Sequence, residues 1–234
     1  LEHDLREAIE LEQIDLAYQP IHDLRDGKLV GAEALLRWRH PRRGQVPPSI
    51  FVPIAEACGV IDQLGEWVLD RACKDACAWQ KQAPGLSVAV NLSARQLQRE
   101  DLPERVRSAL RRQGLAPELL HLGLTESCLL HDEQLAFAAL TALRETGVRV
   151  WLDDFGTGFS GLSHLRSARV DGVKIDRSFI TDILTDPEDL ALASAIIAMA
   201  HSLGMQVIAE GIETESQYTL MRARGCDLAQ GFWM

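Results

Sequence analysis

The chain reads as an α/β protein of the modified TIM (β/α)8 barrel type with an antiparallel first strand, and three observations lead there. Short runs of β-branched and aliphatic residues alternate with helical stretches along most of its length. Its 234 residues come close to the roughly 250 typical of one such barrel. Polar residues, among them Glu33, Asn91, Glu126, Asp153, Asp154, Lys174 and Glu210, stand where those runs give way to loops. A barrel builds its site that way, with many strands each giving one group at their C-terminal ends. An open doubly wound sheet concentrates its ligands at one switch point instead.

The elements follow in order. Residues 2–12 have the pattern of a short amphipathic helix. Stretches 14–21 and 28–38 are strand-like, joined by a loop carrying Asp26-Gly27, a turn signal. So short a link makes these strands antiparallel, because a parallel pair needs a crossover of about a dozen residues. A Pro- and Gly-rich loop over 41–48 precedes helices at 49–57, with Ser49 as the capping residue, and at 62–81. Strands then fall near 86–91, 119–125, 148–153, 171–175, 205–210 and 226–230. Helices near 101–113, 132–146, 177–203 (broken at Pro187) and 214–224 separate them. No internal repeat, low-complexity tract or interior linker interrupts the series, so residues 1–234 read as a single domain. The chain opens at Leu1 without a methionine and stops just after a strand-like run, so we expect a module excised from a longer multidomain protein.

Composition narrows the function. Hydrophobic residues make up 47% and charged residues 25%, ordinary values for a soluble domain. A net charge of −10 argues against binding a nucleic-acid backbone, and no DNA partner is expected. Five cysteines, Cys58, Cys73, Cys77, Cys128 and Cys226, lack C-x-x-C spacing and read as reduced thiols of a cytoplasmic domain. The longest apolar stretch, 190–200, carries Ser194 and is too short for a bilayer span, which leaves any membrane anchor to other parts of the parent protein. The seven histidines form neither H-x-H nor H-E-x-x-H, which argues against a zinc hydrolase barrel. A G-x-S-x-G elbow and a Gly-rich phosphate loop are also missing.

The acids and amides at the strand ends carry the chemistry. Asp153 and Asp154 follow the buried-strand pattern of 148–152. Neighbours on a strand face opposite ways, so both reach one site only where the strand is ending. A metal pair and a solvated turn both fit. Glu33 sits in an apolar run, where a carboxylate is costly to bury unless paired or bound to a cation. Arg37, four residues on and on the same strand face, either pairs with Glu33 or meets a phosphate bidentately. Lys174, flanked by aliphatics, must reach a pocket or a carboxylate. Glu210 and Glu213 repeat the apolar-then-acid pattern, Glu213 alternatively starting a helix. Asn91 closes its strand, where asparagine is also a common turn residue. Gln230 ends the last strand, where a buried amide needs partners. Their agreement at strand ends, more than any one of them, points to hard divalent cations and a phosphorylated substrate.

Several strings together resemble the EAL-domain family. They are Tyr18-Gln19-Pro20, Glu33-Ala34-Leu35-Leu36-Arg37-Trp38, Asn91-Leu92-Ser93-Ala94-Arg95-Gln96-Leu97, Thr125-Glu126-Ser127, Asp153-Asp154-Phe155-Gly156-Thr157-Gly158-Phe159-Ser160, Val173-Lys174-Ile175-Asp176 and Ala209-Glu210-Gly211-Ile212-Glu213-Thr214. The resemblance covers nearly the whole chain in order. It implies a bacterial phosphodiesterase that hydrolyses cyclic di-GMP to linear 5′-pGpG with two Mg²⁺ or Mn²⁺ ions, on a modified TIM barrel whose first strand is antiparallel. By matching position it implies Glu33, Asn91 and Asp153 at one metal, with Asp153 bridging to a second held by Asp154 and Glu210. Lys174 would orient the attacking water, and Glu210 is also a candidate general base. Gln19, Arg37, Glu56, Glu213 and Gln230 would serve the substrate. Glu126 would brace the loop from Asp153 to Phe159, which couples to homodimerisation, and regulatory domains would be attached to the full-length protein.

One position departs from the family pattern. The strand ending near 126 carries a metal-ligand glutamate in the family, and here that place holds Gly123, between Leu122 and Leu124, which face the other way. Losing even an outer partner of a metal site costs roughly 10–100-fold in affinity or activity. The resemblance therefore implies a phosphodiesterase with reduced activity, or alternatively an inactive cyclic di-GMP receptor. A barrel enzyme of the enolase type, with carboxylate-bound Mg²⁺ and a lysine base, explains neither Asn91 nor the adjacent aspartates.

Overall fold

A computed structural model describes residues 1–129, 133–157, 165 and 167–234. Its centre is one sheet of strands β1 (Ile14–Asp23), β2 (Leu29–His40), β3 (Gly44–Val46), β4 (Ser87–Leu92), β5 (Leu120–Thr125), β6 (Arg149–Phe155), β7 (Gly172–Ile175), β8 (Gln206–Glu210) and β9 (Leu228–Gln230). The order is β1-β9-β8-β7-β6-β5-β4-β2-β3, and β1 also pairs with β2, so eight strands close into a barrel with β3 as a short flap. β1 runs antiparallel to both its neighbours, β2 and β9, while β2 and β4 through β9 are parallel. The short link through Asp26-Gly27 forces that arrangement, and Gly27 supplies the left-handed conformation (φ 71°) the turn needs.

Alternation along each strand sorts side chains to two faces. Outward residues such as Val88, Val90, Leu122, Leu124, Val150, Leu152, Val173 and Val207 are buried under the helices in the main core. Those helices include α3 (Ile61–Trp79), α5 (Leu102–Gln113), α6 (Glu133–Glu145) and the helix Pro187–Ser202. A second cluster joins the N-terminal α1 (Glu2–Glu7) to α2 (Pro48–Cys58) through Leu5, Trp38, Phe51 and Leu64. Among the described residues no helix is long and apolar enough to cross a membrane. All five cysteines are free, and burial raises the Cys73 and Cys226 thiols to about 12, so neither is a reactive thiolate.

Several boundaries differ from the sequence expectation. The first helix stops at Glu7 and continues as turns, with Glu12 at φ 53°. The loop over 41–48 contains β3, which pairs with the end of β2. Ser49 does not cap α2: the extended Pro47 precedes it and Pro48 occupies the first turn, where a missing N–H does no harm. A short helix α4 (Ala94–Leu97), with a reciprocal Ser93–Gln96 capping box at its start, lies between the strand expected near 86–91 and the helix expected near 101–113. The expected break at Pro187 separates a four-residue helix (Ser178–Thr181) from the long one, with Asp186 accepting the Glu188 N–H. Residues Gly158, Phe159, Ser160, His131 and His164 lie outside the described residues.

Candidate active site at the strand ends

Inside the barrel, Ile21, Ala89, Trp151, Ile208 and Leu228 form an apolar layer. The indole of Trp151 fits because Gly172 on β7 has no Cβ: a methyl there would collide with its ring. Two residues further towards the C-terminal ends of the parallel strands, the same inward face presents Asn91, Asp153, Glu210 and Gln230. On the antiparallel β1 the inward residue two positions earlier is Gln19. Period-two alternation thus stacks a polar layer on an apolar floor.

Lys174 organises the polar layer. It is fully buried, and its Nζ donates to Glu33 Oε2 (2.9 Å) and Asp153 Oδ2 (3.0 Å) and pairs with Glu210 Oε1 (3.0 Å). Glu33 Oε2 also accepts from Gln230 Nε2 (2.7 Å), and Glu33 Oε1 from Asn91 Nδ2 (2.7 Å). Gln230 Nε2 reaches Gln19 Oε1 at 3.1 Å, while Gln230 Oε1 is buried with no hydrogen-bond partner among the described residues.

The electrostatics follow from that clasp. Burial opposes the charge on Lys174, but three adjacent carboxylates outweigh it and hold the ammonium well above its ordinary pKa. Burial pushes Glu33 up, and the Lys174 charge with hydrogen bonds from Lys174, Gln230 and Asn91 brings it below the usual range. Glu210 is raised to about 7, by burial first; Asp153 and Glu33 add to the shift and Lys174 opposes it. Asp154 is raised by burial and by Asp153 and Asp176.

Asp154 reaches the site by a backbone device. β6 continues to Phe155, and its register with β7 shifts between Leu152 and Phe155. Within that irregularity Asp154 adopts φ 54°, a left-handed conformation uncommon outside glycine and tolerated best by Asn and Asp. Ligand oxygens of Asp153, Asp154 and Glu210 come within 4.8 Å of one another. The expectation that the strand stops at Asp153 is corrected here; a bulge, not a strand end, brings the second aspartate round. The donors are carboxylates and amides with no histidine or thiol among them, a set that fits hard divalent cations.

A cavity of about 350 Å³ opens over this cluster, lined by Gln19, Glu33, Asn91, Gly123, Asp153, Asp154, Glu210 and Gln230 together with Leu35, Leu92 and Thr125. A second, mainly apolar cavity of about 440 Å³ shares Leu35, Asn91, Leu92 and Thr125, and continues over Leu36, Val52, Ile61 and Leu64 to Glu56. Sequence reasoning missed Leu35 and Thr125 as wall residues. The same alternation marks them, two positions past Glu33 and Gly123.

Other expected residues lie around this centre. Arg37 is half-buried beyond Leu35, with Nη1 on the Leu36 carbonyl and no ion pair among the described residues; the alternative pairing with Glu33 does not form. Glu126 is buried in a 3-10 turn (Glu126–Leu129) directly after β5. Glu213 is exposed and lines neither cavity. Its N–H donates to Gln217 Oε1, next to the Thr214 cap of the helix Glu215–Ala223, so the helix-start reading describes its position.

A profile of the EAL domain family matches residues 2–234. The cyclic di-GMP phosphodiesterase NbdA of Pseudomonas aeruginosa is 46% identical over 233 residues, covering 99% of this chain and 30% of that protein. The bifunctional diguanylate cyclase/cyclic di-GMP phosphodiesterase MucR of the same organism is 43% identical over 231 residues, 98% of this chain and 34% of the relative. The chain thus spans about a third of the length of these curated relatives. A solved PaMucR phosphodiesterase in complex with c-di-GMP superposes with TM-score 0.94 at 43% identity, covering 98% of this chain and 94% of that one. The FimX EAL domain from Pseudomonas aeruginosa bound to c-di-GMP gives TM-score 0.90 at 25% identity, covering 99% and 93%.

Proposed function

The chain belongs to the EAL domain family, and from that premise we propose that it hydrolyses cyclic di-GMP to linear 5′-pGpG at a rate lowered by Gly123. The observation that carries this reading is the buried Lys174 clasped by Glu33, Asp153 and Glu210, three carboxylates that line an open cavity. Water adds to one phosphorus, a P–O3′ bond breaks, and the products are a 5′-phosphate and a free 3′-hydroxyl. Glu33, Asn91 and Asp153 would hold one cation, and Asp153, Asp154 and Glu210 a second. Mg²⁺ or Mn²⁺, when bound, supplies Lewis acidity at the phosphate and a more acidic water.

The chain's own groups do the rest. Lys174 keeps its proton; its three N–H groups face Glu33, Asp153 and Glu210, and the one released when Glu210 turns to a cation would direct the water's lone pairs or steady the charge that grows on the attacked phosphate. Glu210, titrating near neutrality in the metal-free protein, is the acid–base candidate at the same ammonium. Gln230 and Asn91 fix the Glu33 carboxylate. Arg37, without an acidic partner among the described residues, is free to take a phosphate oxygen pair. The neighbouring apolar cavity suits a purine face, with the Glu56 carboxylate accepting from the guanine edge, and Gln19 stands at the nucleotide's other side. Glu213, outside both cavities, reaches ligand only beyond the rim. The reading includes a homodimer braced through Glu126, attached regulatory domains and a cytoplasmic setting for the domain.

Gly123 favours one second reading, a receptor that binds cyclic di-GMP without cleaving it. Chromatographic detection of pGpG in saturating Mg²⁺ or Mn²⁺ separates the two. We expect product from the chain and faster product from Gly123→Glu. Product from the glutamate form alone makes this chain a receptor, and product from neither rejects the enzyme reading.

A further inference from the structure

The polar layer has one inward position without a side chain. Gly123 stands beside Asn91 and Trp151 in the sheet register and lines the acid cavity. Its backbone is not left-handed, so any residue fits there conformationally. What fills the space is Asn91: a Cβ on Gly123 would collide with Asn91 Oδ1. From that seat the carboxamide turns its Nδ2 to Glu33 Oε1 at 2.7 Å. Lys174 and Gln230 occupy the other Glu33 oxygen. Glu33 is therefore satisfied at both oxygens by the protein itself. The opposite wall differs. There Lys174 Nζ holds Asp153 Oδ2 and Glu210 Oε1 at 3.0 Å and the Asp154 N–H donates to Asp153 Oδ1, but the Asp154 carboxylate receives no side-chain hydrogen bond from any described residue and lies with those of Asp153 and Glu210 inside a 4.8 Å cluster.

We infer that the two halves of the site bind divalent cations unequally. Asp153, Asp154 and Glu210 form the tight position. The Glu33–Asn91 pair over Gly123 is closed by its own hydrogen bond and accepts a cation only when Asn91 swings off its seat. Gly123 thus weakens that half twice, by the carboxylate it lacks and by the latch it allows. Asn91 acts here as a positioning residue for Glu33. The inference rests on the proposed function only in taking divalent cations as the ligands.

The test is equilibrium Mn²⁺ binding to the purified chain, followed by electron paramagnetic resonance of the free ion. The chain should bind one tight equivalent and a second at least about 10-fold more weakly. Asp154→Asn should lose the tight equivalent. Gly123→Ala adds no ligand but displaces Asn91, and should narrow the gap between the two equivalents several-fold. Gly123→Glu should make them comparable. Two equal equivalents in the parent chain overturn the inference, and an unchanged gap in Gly123→Ala overturns the latch. Assaying pGpG on the same samples keeps the claims apart. Turnover with two equal equivalents rejects the inference and leaves the enzyme reading. Unequal binding with no turnover by any variant does the reverse.

Discussion

The two faces of the barrel strands obey opposite rules. Outward residues of β4 to β8 are small-range aliphatics, fully buried and interchangeable in chemistry. Inward residues of the same strands change from an apolar floor to acids, amides and one lysine within two positions. Hydrophobic burial on the outer face, at about 25 cal/mol per Å², supplies the stability. The inner layer draws on it, because buried charges lose hydration and are offset only by their mutual geometry. Alternation lets one strand serve both ends, so a substitution at one residue and at its neighbour should have unlike consequences.

The largest break comes from Lys174→Met. It leaves Glu33, Asp153 and Glu210 without their shared counter-charge, and removal of one partner from a buried ion pair costs about 3–5 kcal/mol. Urea unfolding should show that loss, and pGpG formation should cease. On the outer face, Leu122→Ala, one residue from Gly123, should cost about 2–5 kcal/mol through its cavity while leaving Mn²⁺ stoichiometry unchanged. Equal stability losses accompanied by altered metal binding at Leu122 would erase the distinction between faces.

Glu210 sharpens the comparison through pH. Its folded pKa of about 7 stands above its ordinary 4.5, so the folded state binds the proton more tightly than the unfolded one. That contribution is full below about pH 4.5 and disappears as pH rises through 7. In metal-free protein we expect Glu210→Gln to flatten a stability decline on the order of 2–3 kcal/mol across that window, at about 1.4 kcal/mol per pKa unit. Divalent cation should oppose the decline, since it binds the ionised carboxylates. Thermal melts at fixed pH steps with and without Mg²⁺ measure both. The mildest change is Gly172→Ala on the apolar floor, which must push the Trp151 ring aside and should cost about 1–3 kcal/mol of overpacking.

Much of this is legible in the order of the residues. The short turn at Asp26-Gly27 dictates the antiparallel β1, and the apolar-then-polar strand ends point to Asn91, Asp153, Lys174, Glu210 and Gln230; Glu33, expected at a strand end, instead lies within β2 (Leu29–His40), which runs on past the site to pair with β1 and β3. What the residue order does not reveal is set by backbone geometry and distance in space. The left-handed turn at Asp154 has no signal beyond aspartate's tolerance of it. The capping box that makes Ala94–Leu97 a helix is too short for a periodic pattern. The pairing of Arg37 was open from sequence, since a strand face holds both Glu33 and Arg37 without bringing them into contact. The seat of Asn91 over Gly123 joins two strands, and only their register reveals it.

The most direct measurement is the fate of cyclic di-GMP incubated with the chain and Mn²⁺, resolved chromatographically beside Lys174→Met and a chelated sample. The account predicts pGpG from the chain alone, with none after chelation and none from the variant. Cyclic di-GMP recovered intact from the chain and from Gly123→Glu alike would contradict it.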